Sequence, residues 1–394
     1  MASSKRSPIR LATGIAAASL ALTACGGGLG SDGEVDSDGP VKIGLLVPQS
    51  GVYKALGDDM KNGYELYLEQ NDNMLGGREV ETVLADEGEE ASTGQAAAEK
   101  LVKRDNVLAV TGVVSSATMT GVADLFESSK VPLVGSNASP TTLTDAEYIW
   151  RTSYINDEPG KALGEYVAGE TDGSVYLLAA DYQAGIDEIE GFKATFPADG
   201  EVADEVYTPF PTTTNFQPFL SNVRKSGAES LFTFYAGGAA VDFVKQFDSF
   251  GLKKDVELYA PGFLTEGGVL DAQGPAAEGV FTSMNYNWDL ENETNQEFVQ
   301  AYEEAYGMKP TTYAMASYDA AQVLDKAIEA AGDELSTESL NEAIAEVGEI
   351  DSPRGPWEFN DIGTPVQMWY LREVQAVDGG FANVTVDELG TFGG

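Results

Sequence analysis

The chain has 394 residues, which is too long for one ordinary domain and suits two. Its 64 acidic and 23 basic side chains give a net charge of −41 at pH 7, so repulsion excludes nucleic acid and anionic lipid surfaces as partners. Histidine is absent and Cys25 is the one cysteine. Histidine-dependent catalysis, the usual zinc sites and an intrachain disulfide are therefore excluded, and without an Asp-x-Asp-x-Asp-Gly loop no metal site is expected.

The first 24 residues have the pattern of a targeting segment. Lys5, Arg6 and Arg10 precede an apolar stretch, 11–22, that is too short to span a bilayer as a helix. Leu-Thr-Ala-Cys then ends at Cys25 and resembles the lipobox of bacterial lipoproteins. We expect a signal peptide over 1–24, a lipid on Cys25 and a flexible Gly- and acid-rich tether over 25–40.

Strands and helices are predicted to alternate from residue 41 to residue 139. Short apolar runs predict buried parallel strands, and helical patterns separate them. The strands are expected at 41–47, 80–85, 107–110 and 131–135. This alternation is typical of a doubly wound parallel α/β lobe.

The same alternation restarts near residue 148 and predicts a second α/β lobe. Its strands are expected at 174–179, 202–207, 230–235, 256–260 and 279–283. Helices over 295–306, 312–331 and 336–347 follow, and closing strands are predicted at 354–360 and 367–374.

Two neighbouring strands of the first lobe end in small polar residues. Ser115 and Ser116 follow one strand, and the segment 136–139, Ser-Asn-Ala-Ser, follows the next. Carboxyl ends of parallel strands meet at one edge of a sheet, where loop amides and helix N-termini favour anions. These residues therefore predict a small-molecule cradle, although they could equally be ordinary turn and N-cap residues.

The order of motifs resembles the type I periplasmic binding proteins, above all the Leu/Ile/Val-binding proteins of ABC importers. The resemblance covers roughly 41–375. The matching motifs are Val-Lys-Ile-Gly-Leu-Leu-Val-Pro-x-Ser-Gly at 41–51, Gly76-Gly77, Asp86-Glu87, Gly112-x-x-Ser-Ser116, Val131-Pro132-Leu133, Asp181-Tyr182, Tyr235-Ala-Gly237 and Tyr318-Asp319-Ala320-Ala321.

The resemblance implies two lobes that are joined by three crossovers and close on a ligand in the cleft. Lobe I is expected at 41–154 with 284–358, and lobe II at 155–283 with 359–394. It further implies that the protein captures and delivers a ligand without catalysis and without a cofactor.

The resemblance also places ligand-binding residues. In the family, amides and hydroxyls at two strand ends of the first lobe bind the ligand α-carboxylate, and the matching positions here are Val114, Ser115, Ser116, Asn137, Ala138 and Ser139. Neutral, oriented donors can bind a carboxylate without Arg or Lys.

The second lobe departs from the family pattern. Gly262 stands where the Leu/Ile/Val-binding proteins have a glutamate for the ligand ammonium, and Glu266, four residues on, could substitute. Ala184 and Leu56 replace family tyrosines, while Phe263 adds a ring. Tyr182, Tyr235 and Tyr313 are candidate cleft residues, with loop packing open for Tyr182 and helix-core packing for Tyr313.

These departures favour a carboxylic acid with an apolar or aromatic body, with a branched-chain amino acid left open. The predicted function is that of a monomeric solute-binding lipoprotein, held outside the bacterial cell membrane by the lipid on Cys25, that delivers its ligand to an ABC permease and its ATPase subunits. The alternatives are a ligand sensor of the same fold that signals to a membrane receptor, and a carboxylate-only glycosidase.

Overall fold

The computed structural model describes residues 39–171, 173–197 and 200–393. The predicted signal peptide, Cys25 and nearly all of the predicted tether lie outside these residues. Within the described ranges, none of the helices has both the length and the apolar character that a membrane span requires.

The first sheet has six strands in the order β2-β3-β1-β4-β5-β6. Its strands are β1 (Val41–Val47), β2 (Met74–Leu75), β3 (Arg78–Asp86), β4 (Ala109–Gly112), β5 (Leu133–Gly135) and β6 (Ile149–Arg151). Helices α1 (Lys54–Gln70), α2 (Ala91–Lys100) and α3 (Ser116–Ser129) connect them. All pairings are parallel except that of the short β2 with β3. The central strand β1 is apolar and buried on both faces, as a parallel strand covered by helices requires.

The second sheet has seven strands in the order β13-β12-β11-β10-β9-β7-β8. Its strands are β7 (Val175–Asp181), β8 (Val202–Pro209), β9 (Ser230–Phe234), β10 (Glu257–Pro261), β11 (Phe281–Met284), β12 (Gln367–Val377) and β13 (Gly380–Phe392). Its helices are α4 (Glu158–Glu170), α5 (Gln183–Thr195), α6 (Gln217–Ser226), α7 (Gly237–Ser249) and α8 (Gly268–Gln273). The strands β7 to β11 pair in parallel, whereas β12 and β13 form an antiparallel hairpin at one edge.

Three helices lie in sequence between β11 and β12, namely α9 (Glu293–Tyr306), α10 (Thr312–Ala331) and α11 (Thr337–Ala345). They return the chain to the first sheet, where α10 packs along α1. Tyr67 Oη donates 2.6 Å to Asp325 Oδ2, and Ser136 and Ser317 share a 2.8 Å hydrogen bond. The chain therefore passes between the two sheets three times, which agrees with the predicted fold class.

Two element predictions were wrong. Segment 354–360 is not a strand, because only isolated bridges form there, between Ile350 and Trp357 and between Phe359 and Pro365. The Arg354 side chain turns inward and pairs with buried Asp319 at 2.7 Å, so side-chain contacts fix this segment instead of a strand ladder. Strand β13, which pairs antiparallel with β12 at the edge of the second sheet, was also missed.

Candidate ligand-binding site

A cavity lies between the two sheets, where the carboxyl ends of β4 and β5 face those of β7, β9 and β10. Its space is ≈ 350 Å³, including the part that opens to solvent. The lining residues are Tyr53, Leu56, Val114, Ser116, Asn137, Ala138, Tyr154, Asn156, Tyr182, Ala184, Glu188, Phe234, Ala236, Phe263 and Tyr313.

Nine of the fourteen residues singled out from the sequence line this cavity. They lie on helices and on the loops that follow strands of both sheets: Leu56, Val114, Ser116, Asn137, Ala138, Tyr182, Ala184, Phe263 and Tyr313. The sequence reasoning missed the other six, which are Tyr53, Tyr154, Asn156, Glu188, Phe234 and Ala236. Phe234 and Ala236 flank Tyr235, which the family resemblance had selected, so the prediction was one residue away from both.

Three predicted residues stand outside the cavity wall because structural partners hold them. Ser115 N–H donates 2.8 Å to Glu87 Oε1. Ser139 N–H donates 3.1 Å to the Asn156 side chain. Tyr235 shares a 3.1 Å hydrogen bond with Thr208, because as the residue after β9 it turns into the core of the second lobe.

Gly262 and Glu266 also stand outside the wall, and Arg372 on β12 explains both positions. An ideal Cβ built on Gly262 would lie 2.3 Å from Arg372 Nη2, so the guanidinium fills the space that a larger residue 262 would need. Arg372 Nη2 lies 2.8 Å from Glu266 Oε2 as an ion pair, although its N–H is not aligned for a hydrogen bond. Glu266 Oε1 accepts from the Thr312 amide at 2.9 Å. Glu266 is therefore bound to the protein itself.

The polar end of the cavity is the N-terminus of α3. The amides of a first helical turn have no intrahelical acceptor, and here the N-cap side chain of Ser115 does not bond to any of them. Ser116 Oγ accepts 2.9 Å from Asn156 Nδ2, which leaves the Ser116 hydroxyl hydrogen free to donate. The helix dipole adds partial positive charge at the same place. This end of the cavity therefore suits a carboxylate.

Glu87 occupies the two amides that precede this helical turn. Its carboxyl accepts from Val114 N–H at 2.7 Å and from Ser115 N–H. Burial raises the pKa of Glu87 to about 7, against the lowering effect of these hydrogen bonds. Glu87 thus fixes the loop and leaves the amides of α3 itself for a ligand.

Asn137 orders the wall beside α3. Its Nδ2 donates 2.9 Å to the Val114 carbonyl, and its Oδ1 accepts 3.1 Å from the Tyr154 hydroxyl. Because both ends of this side-chain amide are bonded, Asn137 holds the ends of β4 and β5 together and orients the Tyr154 ring.

Six aromatic rings form the rest of the wall. Phe263 is central among them: its ring centroid lies 5.3 Å from that of Tyr154, 6.0 Å from Phe234 and 6.1 Å from Tyr313. Tyr182 lies 6.0 Å from Phe234, and its hydroxyl lies 3.4 Å from that of Tyr53. Such a wall favours a ligand with a flat or apolar body.

Glu188 is the one carboxyl side chain among the described lining residues. Its Oε2 accepts 2.9 Å from Gly160 N–H at the start of α4. Burial raises the pKa of Glu188 well above 4.5, and the nearby acids Asp157, Asp187 and Glu158 raise it further. Burial therefore favours the neutral, protonated form of Glu188, which offers the cavity no charge.

Contacts between the two lobes surround the cavity. Gly238 N–H donates 3.2 Å to the Val52 carbonyl, and Thr141 Oγ1 donates 2.7 Å to Asp187 Oδ1. Gly237 has φ +56°, and an added Cβ would lie 2.4 Å from Val52 O, so this close approach requires glycine. No group of three acidic or cysteine side chains within the described ranges is arranged to hold a metal ion.

Comparisons with known proteins agree with this geometry. The family model described as periplasmic binding protein matches residues 40–380. A Leu/Ile/Val-binding protein homolog 6 from Brucella melitensis is 30% identical over 349 residues, which cover 86% of this chain and 89% of that protein.

Solved structures give the same result. A solute-binding protein of an R. palustris ABC transporter, in complex with benzoate, is 32% identical with a TM-score of 0.84, covering 90% of this chain and 97% of its own. A second one from R. palustris, in complex with 4-hydroxybenzoate, is 30% identical with a TM-score of 0.83, covering 89% and 96%. The fold, the central cavity and these matches together show that this chain belongs to the type I periplasmic binding proteins, the solute-binding proteins of ABC transporters.

Proposed function

We propose that this protein captures a small carboxylic acid with an apolar or aromatic body and delivers it to the permease of an ABC importer. The observation that carries the proposal is the open N-terminus of α3 at one end of a cavity with aromatic walls. The proteins that bind benzoate and 4-hydroxybenzoate are 32% and 30% identical to this chain, which supports the same ligand class.

The carboxylate of the ligand would lie at the α3 N-terminus. Ser116 would donate its amide and its hydroxyl, and the helix dipole would stabilise the negative charge. Among the described lining residues there is no Lys or Arg, so binding would rely on neutral, oriented donors. Such donors keep their geometry without a buried counter-charge.

The same cavity disfavours an α-amino acid. A buried ammonium requires a negative partner, and Glu266 is already paired with Arg372. Arg372 also fills the space beside Gly262, where the family glutamate would stand. Glu188 could serve an ammonium only by losing a proton that burial holds tightly.

In the proposed cycle, lobe I (41–154 with 284–358) and lobe II (155–283 with 359–394) close around the ligand by a hinge motion. The permease would recognise the closed form, and a lipid on Cys25 would hold the monomeric protein outside the cell membrane. Capture then proceeds without turnover of the ligand.

Isothermal titration calorimetry with benzoate, phenylacetate, leucine, isoleucine and valine tests the proposal, with thermal unfolding as a second readout. A ligand at a hundredfold excess over its Kd should stabilise the protein by about 2.7 kcal/mol. We expect the aromatic acids to bind and the amino acids to give no heat.

The variant Glu188→Gln separates the two ligand classes. It should leave the affinity for an aromatic acid nearly unchanged, because burial favours the uncharged carboxylic acid at position 188 and the amide is also uncharged. If the unaltered protein binds leucine and Glu188→Gln does not, Glu188 is a partner of the ligand ammonium. That result would overturn the proposed ligand class.

A further inference from the structure

Four tyrosines line the cavity, and the hydroxyl of one of them differs from the others in having no partner. Tyr53 and Tyr182 lie within 3.4 Å of each other, and Tyr154 donates to Asn137. The Tyr313 side chain is buried, with the residue only 1% exposed, and its hydroxyl has no hydrogen-bond partner among the described residues. A buried hydroxyl without a partner costs free energy that a phenylalanine would avoid.

The position of Tyr313 is fixed from two sides. It is the second residue of α10, whose N-cap Thr311 accepts from Ala314 N–H through its side chain. Glu266 binds the Thr312 amide at 2.9 Å, and the ring of Phe263 packs against that of Tyr313. These contacts hold the start of α10, and with it the ring of Tyr313, in place.

The groups around Tyr313 indicate which kind of ligand group could form a hydrogen bond with its hydroxyl. Burial raises the pKa of the Tyr313 hydroxyl well above 10, so it stays protonated and can both donate and accept one hydrogen bond. The Arg372–Glu266 pair nearby is already balanced in charge. A charged group would upset that balance, whereas a neutral hydroxyl on the ligand would complete the hydrogen bonding.

We infer that Tyr313 determines specificity by hydrogen bonding a hydroxyl on the body of the ligand, and that the preferred ligand is a hydroxylated aromatic carboxylic acid. The inference rests on the proposed function and deepens it. In this arrangement the carboxylate of the ligand binds at the N-terminus of α3, and its hydroxyl binds Tyr313 on α10, another element of the cavity wall.

The test compares matched pairs of acids by titration calorimetry. Benzoate and its 2-, 3- and 4-hydroxy and methyl derivatives are titrated into the protein, because hydroxyl and methyl substituents have nearly the same size. At one ring position we expect the hydroxy acid to bind about 3- to 10-fold more tightly than the methyl acid, the gain typical of one neutral hydrogen bond. In Tyr313→Phe this ratio should fall to one or below.

Tyr235→Phe is the matched control. It also removes one buried tyrosine hydroxyl, but this hydroxyl bonds to Thr208 and lies outside the cavity. The ratio of hydroxy to methyl affinity should stay as in the unaltered protein.

Three outcomes contradict the inference. In the first, the methyl acids bind as tightly as the hydroxy acids at every ring position. In the second, the ratio of hydroxy to methyl affinity is the same in Tyr313→Phe as in the unaltered protein. In the third, Tyr313→Phe loses affinity equally for all the acids. The first comparison needs no variant, so the inference remains testable if Tyr313→Phe fails to fold. If benzoate itself does not bind, the proposed function fails first and the inference falls with it.

Discussion

Arg372 and Glu266 form an ion pair in the interior, beside the cavity wall. Both side chains are buried, and Arg372 Nη1 also donates 3.2 Å to the Tyr286 carbonyl. Breaking a buried pair leaves one charge without compensation, which costs more than the pair itself contributes. The two residues are therefore structural, and neither is free to bind a charged ligand.

The variant Glu266→Gln tests this role. We expect it to lower the free energy of unfolding by about 3–5 kcal/mol, because the Arg372 guanidinium stays buried without its counter-charge. Urea denaturation measures the loss. The double variant Glu266→Gln with Arg372→Met removes the stranded charge and should recover most of the stability. A single variant of normal stability that loses ligand binding would instead show that Glu266 binds the ligand.

The sequence indicated the region of the cavity better than it indicated which hydrogen-bond donors there are free. The strand-end rule led to Ser115, yet its amide is taken by Glu87, a partner 28 residues earlier in the chain. Asn156 and Glu188 were missed because neither follows a strand directly. Which polar groups are already paired depends on tertiary contacts, and no local pattern records them.

Helices α1 and α10 meet at a glycine. An ideal Cβ on Gly63 would lie only 2.0 Å from the Ala314 carbonyl oxygen, which is backbone and cannot move aside. The close approach also holds the start of α10, and with it Tyr313, in place. Gly63 is thus required by packing, since it lies in the middle of a helix where glycine is otherwise unfavourable.

Gly63→Ala should destabilise the protein by about 1–3 kcal/mol or more, because the two helices must separate to admit the methyl group. Gly169→Ala is the matched control: Gly169 is an exposed residue of α4, and its added Cβ would meet nothing within 4 Å. That control should be neutral or stabilising by up to ~1 kcal/mol. Equal unfolding midpoints for the two variants would show that the α1–α10 contact tolerates extra volume.

Helices and strands were predicted most accurately where the local hydrophobic pattern is regular. Helix α10 spans Thr312–Ala331, as its long apolar periodicity predicts. The missed strand β13 has scattered glycines and acids that dilute its alternation. Its signal lay in the turn, because Asp378-Gly379 is a two-residue loop of the kind that joins hairpin strands. The predicted strand at 354–360 does not form, because the Arg354 side chain turns inward to Asp319, and the sequence around Arg354 gives no sign of this contact.

Among the residues that the structure describes, five buried carboxyls have raised pKa values although the protein is highly acidic: Asp59, Glu87, Glu158, Glu188 and Asp319. Burial raises the pKa of Asp59 and Glu87 to about 7 and that of Glu158 to about 8. Burial also raises the pKa of Glu188 well above 4.5. The net charge of −41 spread over the chain also disfavours ionisation of these carboxyls, so it raises their pKa values further.

These shifts predict that stability falls as the pH rises. Between the ordinary carboxyl pKa of 3.8–4.5 and the raised values of about 7–8, the folded protein holds protons that the unfolded chain releases. The native state is therefore favoured near pH 5 and penalised near pH 8, and each unit of raised pKa corresponds to ~1.4 kcal/mol. We expect the melting temperature to decrease steadily from pH 5 to pH 8.

The variant Glu188→Gln separates buried carboxyls from overall charge repulsion. Its amide cannot ionise, so the stability of this variant relative to the unaltered protein should be greater at pH 8 than at pH 5. The control Glu329→Gln also replaces a carboxyl with an amide, at an exposed position on α10, and should leave the slope of stability against pH unchanged. If both variants flatten the slope equally in thermal unfolding, total charge governs the pH dependence; if only Glu188→Gln does, the proton held in the cavity wall governs it.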